Sequence, residues 1–136
     1  MFQTKNPIEI LHWYILPAVT AELSTELVGK GMRQNEIARL FGLTPAAITQ
    51  YKQKKRGAGF TLTERDKKAI SALASRIVRE HLTEEQVISA LNSLVEGIRS
   101  SGEMCHVCHE FAQAPAKCSI CVTVPCAVGK VRGKIL

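Results

Sequence analysis

The chain has 136 residues, a formal net charge of +6 and five cysteines. That length fits one compact domain, or a small domain with an appendage. No uncharged apolar run reaches the roughly 18 residues that a membrane helix needs, and IEILHWYILPAV carries Glu9 and His12 without a basic leader, so a cytoplasmic protein is expected.

Apolar spacing is helical almost throughout. Asn6-Pro7 opens a first segment whose apolar set is Ile8, Leu11, Trp13, Ile15 and Leu16. Pro17 removes an amide donor and restricts Leu16, so a break or kink is expected there, with a new helix starting near Pro17. Val19, Leu23, Leu27 and Val28 line one face of that helix, and Gly29 and Gly31 end it. Two short helices around a tight turn follow, closed by Gly57 and Gly59. Thr63 then caps a helix with Asp66 in the capping-box place, and Ile70, Leu73, Ala74, Ile77 and Val78 form its stripe. A second cap, Thr83 with Gln86, precedes the stripe Val87, Ile88, Leu91, Leu94, Val95 and Ile98, and Gly102 is the stop. These two helices are expected to form a hairpin.

The stretch from Gln34 to Gln53 meets every demand of a helix-turn-helix. Ala38 is the small residue at the crossing, and Gly42 supplies a positive φ. Ile37, Leu40, Phe41, Leu43, Ile48 and Tyr51 fill the corner. Thr44 caps the second helix and Pro45 fits its first position. Residues left outside are Thr44, Ala46, Ala47, Thr49, Gln50 and Gln53. Glutamine pairs with adenine, threonine bonds or offers a methyl, and alanine touches the thymine methyl. Gln34 is placed to bond a phosphate, and so are Lys52, Lys54, Lys55 and Arg56 of the run KQKKR. Charge is distributed accordingly: residues 1–59 carry eight Lys/Arg against four Glu, while residues 60–102 balance at six and six.

Leu16-Pro17-Ala18, the segment Gln34–Thr44, the run Ala46-Ala47-Ile48-Thr49-Gln50-Tyr51 and the end Arg56-Gly57 together resemble an archaeal group of predicted transcriptional regulators. That group has a Cro/C1-type, xenobiotic-response-element-like helix-turn-helix, as in phage lambda repressor. The likeness covers residues 7 to 59 closely and extends loosely to a C-terminal Cys-x-x-Cys region. Pro45 departs from it, since a polar residue is commoner there, and this costs one potential DNA contact. The resemblance implies a DNA-binding regulator.

All five cysteines lie between Cys105 and Cys126. Cys105-x-x-Cys108 and Cys118-x-x-Cys121 each place two sulfurs on one centre, and four thiolates suit tetrahedral zinc or an iron–sulfur cluster. The apolar setting CSICVTVPCAV favours iron–sulfur, with zinc as the alternative. A thiol–disulfide switch is a further competitor. Cys126 is a fifth thiol or a replacement ligand. His106 and His109 are read as bystanders, and His12 and His81 as structural.

The expected fold is all-α: a lambda-repressor-like helix-turn-helix domain (1–59), a helical hairpin serving core and dimerisation (60–102), and a small irregular cysteine-rich metal-binding tail (103–136). The expected function is sequence-specific binding of double-stranded DNA by a homodimer on a two-fold operator, with half-sites about 34 Å apart. A cluster in the tail would sense redox or iron state. No nucleotide loop, triad or carboxylate pair is present, so no enzyme is expected. A redox or interaction protein whose helix-turn-helix is not used on DNA is the reading of another class.

Overall fold

The computed structural model describes residues 6–53, 60–102 and Cys105. These are helical, with no strand among them. In chain order they form α1 (Pro7–Ile10), a π-helical turn (Leu11–Ile15), α2 (Leu16–Gly29), α3 (Gln34–Phe41), α4 (Pro45–Lys52), α5 (Glu64–Glu80) and α6 (Glu84–Ser101).

Pro17 does not break the chain's helical path. It sits in the first turn of α2, where its missing donor costs least. The turn before it widens instead: the Leu16 amide donates to the Leu11 carbonyl, a five-residue closure. This widening changes which residues face inward. Ile10 and Ile15 are both fully buried, while Ile8 is 71 % and Trp13 57 % exposed. The expected apolar set therefore needs correcting: Ile10 replaces Ile8 and Trp13. In a regular α-helix, residues five apart point about 140° away from each other, so Ile10 and Ile15 could not both face inward.

Helix α2 lies at the centre of the packing, against α4, α5 and α6. Val19, Leu23 and Leu27 are fully buried along it, and Val28 packs at the core's edge. Its end is a left-handed glycine closure. Gly31 has φ +93°, and the Met32 amide reaches back to the Leu27 carbonyl at 3.0 Å.

Both later helices begin as the caps predict. Thr63 Oγ1 accepts the Asp66 amide at 3.1 Å while Asp66 accepts the Thr63 amide at 3.2 Å. Thr83 and Gln86 repeat the exchange at 3.2 and 2.9 Å. Gly102 ends α6 at φ +86°. Between the two helices His81 closes α5 in the left-handed region, φ +51°, and the buried Leu82 anchors the turn. The inner residues of both stripes join one apolar cluster that runs from Ile10 to Ile98. Val78 and Ile88, expected in the stripes, lie on the exposed side instead. Each sits at the margin of its stripe, where the partner helix no longer covers it. Among the described residues no helix is long and apolar enough to cross a membrane.

Candidate nucleic-acid interface

Helices α3 and α4 are joined by the three residues Gly42, Leu43 and Thr44. Gly42 takes φ +69°, and the Leu43 amide donates to the Ala38 carbonyl at 2.8 Å. That six-to-one closure stops α3 sharply and turns the chain. Thr44 is extended (φ −90°, ψ 155°), the conformation that a following proline enforces and that a helix cap requires. Its Oγ1 accepts the Ala47 amide at 3.1 Å. Cap, proline and glycine therefore agree on one geometry.

The corner is apolar, as expected. Ile37, Ala38, Leu40, Ile48 and Tyr51 are buried, and Phe41 and Leu43 pack at the edge. Helix α4 rests on α2 as well as on α3, so it is held on two sides.

The other face of α4 carries Ala46, Thr49, Gln50 and Gln53. Ala46 and Gln53 are exposed, and Thr49 and Gln50 are half-buried. These positions follow helical spacing and make one strip beginning at the helix N-terminus. Thr44, also exposed, stands just before it. Ala47 differs from expectation. It is only 7 % exposed and belongs to the inward side, because it neighbours Ile48 and lies one turn before Tyr51. It is not on the open strip.

Gln34 and Thr49 are brought together. The Thr49 hydroxyl lies 3.3 Å from Gln34 Oε1 and 3.2 Å from the Pro45 carbonyl oxygen. Its one proton serves these acceptors in turn. With Oε1 turned to Thr49, the hydrogens on Gln34 Nε2 are the donors left for a phosphate or base edge. Thr49 retains a methyl and hydroxyl lone pairs for contact, and its proton is spent within the protein.

A further residue at this site went unread in the sequence. Glu36 Oε1 accepts the Arg33 amide at 3.1 Å and fixes the start of α3 beneath Gln34. The signal was half present: Glu36 occupies the third helical position, but the residue before the helix is Arg33, not one of the usual capping types.

Lys52 is the last residue of α4. Lys54, Lys55 and Arg56 lie outside the described residues, as do Cys108, Cys118, Cys121, Cys126, His106 and His109. Cys105 is half-buried, and its amide donates to the Gly102 carbonyl at 3.0 Å just past the end of α6. Among the described residues no three metal-ligating side chains come together.

Comparison of the chain with protein-family models, with curated proteins and with solved structures gave no match.

Proposed function

We propose that this protein is a sequence-specific DNA-binding transcriptional regulator with a lambda-repressor-like domain, acting in the cytoplasm as a homodimer on a two-fold operator. The observation that carries this reading is the pairing of α3 and α4 around Gly42. That turn buries one face of α4 and leaves Ala46, Thr49, Gln50 and Gln53 in a strip that starts at the helix N-terminus. Small and amide-bearing side chains there suit close approach to base edges in a major groove. The Gln34–Thr49 contact orients a donor beside that strip, in the place where a phosphate bond would set the register. The basic run from Lys52 to Arg56 follows the same helix in sequence. It supplies the charge that neutralises phosphates, whatever the base sequence.

The two Cys-x-x-Cys pairs support a metal centre held by Cys105, Cys108, Cys118 and Cys121, with Cys126 as an alternative ligand. An iron–sulfur cluster fits the apolar sequence around them and would supply reversible one-electron chemistry; zinc is the alternative and would supply structure alone.

Selection from a random duplex library, followed by fluorescence anisotropy at fixed salt, tests DNA reading. Alanine at Gln50 and Gln53 is expected to relax sequence preference by about 1–3 kcal/mol for each bidentate base pairing removed. Glutamine at Lys52, Lys54, Lys55 and Arg56 is expected to weaken all sequences together and flatten the salt dependence by about 0.9 per phosphate neutralised. A library from which no sequence is enriched would sink the proposal.

A further inference from the structure

We infer that the cleft between α3, the α2–α3 connection and the C-terminal end of α5 is a binding site for a small amphipathic monoanion, an aryl or branched alkyl carboxylate. The cleft measures about 400 Å³. That lies within the roughly 300–1,000 Å³ of small-molecule sites. Its floor is apolar and belongs to the core: Leu40, Ile77 and Leu82 are buried and line it from three different elements. The cations Lys30 and Arg39 are exposed at its edge, with His81 beside them.

The charge at the rim is not neutralised within the fold. Neither Lys30 nor Arg39 forms an ion pair among the described residues, whereas Arg76, Arg79 and Arg99 each do. Among the described residues the one carboxylate lining the cleft is Glu36; its Oε1 accepts the Arg33 amide and keeps its charge, so Lys30 and Arg39 together outweigh it by one positive charge. An incoming carboxylate would therefore meet two cations without ion-pair partners, and a net positive rim, above an apolar surface. Charge recognises the head and the floor takes the body, the usual division in small-ligand sites. His81 closes α5 at φ +51°, and its side chain stands at the rim.

A bare phosphate, or the backbone of a duplex, would use the cations and leave the floor idle. For that reason the geometry points to an amphipathic ligand. Among the described residues none of α4 lines the cleft, so the inference does not rest on DNA binding. Arg39 and Leu40 do belong to α3, which gives a bound ligand contact with the helix that holds α4.

The test uses the full chain and phenylacetate, with phenylacetamide and inorganic phosphate as controls, followed by calorimetry and by amide chemical shifts. Saturable one-to-one binding of phenylacetate is expected, with shifts at Gly31, Arg39 and His81. The neutral amide should bind at least about tenfold more weakly, as removal of a charge-assisted hydrogen bond implies. The double variant K30Q/R39Q, whose altered side chains are exposed and should leave folding intact, is expected to weaken binding by about the same factor. Val78→Asp, placing a like charge at the cleft wall, should abolish binding. Equal binding of carboxylate and amide, wild-type affinity in K30Q/R39Q, phosphate binding as tightly as phenylacetate, or no saturable binding below about 10 mM would each overturn the inference.

Discussion

Gly42 and Gly97 make a matched pair, because the same chemical change should move stability in opposite directions at the two sites. A methyl group added at either meets nothing within 4 Å, so no clash enters. What differs is the backbone. Gly97 lies inside α6, near its last turn, where alanine is favoured over glycine by about 0.5–1 kcal/mol. Gly42 sits at φ +69°, where an L side chain costs about 1–2 kcal/mol. Reduced freedom of the unfolded chain returns about 0.4–1 kcal/mol of that, leaving Gly42→Ala destabilising by roughly 0.5–1 kcal/mol. The two variants should therefore straddle the wild type and differ by about 1–2 kcal/mol. Urea unfolding followed by far-ultraviolet circular dichroism measures this directly. With a slope of about 1–3 kcal/mol per molar urea, each kcal/mol moves the midpoint by about 0.3–1 M. If Gly42→Ala raised the midpoint, the left-handed turn between α3 and α4 would be wrong, and with it the geometry that presents α4. If Gly97→Ala lowered it, the space around Gly97 would not be open.

Ile10→Ala should cost about 2–5 kcal/mol in the same unfolding assay, whereas Ile8→Ala should stay within about 0.5 kcal/mol. The reverse order would mean a regular α-helical turn in place of the π turn. Anaerobically purified protein is expected to contain iron and to absorb visible light, and to lose both on chelation; a colourless protein with one zinc per chain would leave zinc as the metal.

Much of the fold was legible where a signal and its partner lie within one turn of each other. Thr63 with Asp66, Thr83 with Gln86, and Gly42 before Thr44-Pro45 each specify a local geometry that no distant residue has to ratify. Legibility failed where burial depends on what lies opposite. Ala47 reads as an outward alanine on a recognition helix, yet α2 and α3 flank α4 closely enough to cover it. Val78 and Ile88 continue their stripes in sequence, but they pass beyond the reach of the facing helix. The cleft rimmed by Lys30, Arg39 and His81 was unreadable for a stronger reason. Its residues come from α2's end, from α3 and from the α5–α6 turn, and their juxtaposition exists only once those elements have packed. Gln34 and Thr49 fall between these cases: each stands out in the sequence for its chemistry, while the contact that joins them follows from the angle set at Gly42.

The N-terminal helix shows how a correct local reading can yield a wrong face. Pro17 is an obstacle to a regular helix, since it offers no amide to the Trp13 carbonyl four residues back. The obstacle has two solutions. A broken helix ends the periodicity; a widened turn preserves the helix and shifts its phase. The chain takes the second, closing Leu16 onto Leu11. Once the phase shifts, a regular 3.6-residue count from Ile15 reaches back seven residues to Ile8, while the core receives Ile10 and Ile15. The consequence reaches the candidate interface. Ile15 and Val19 continue the same buried face into α2, and α2 is one of the two supports of α4. Ile10 extends that face by a further turn. A residue near the start of the chain thus stabilises the support against which the proposed DNA-reading helix is held, through a proline that looks in the sequence like a stop.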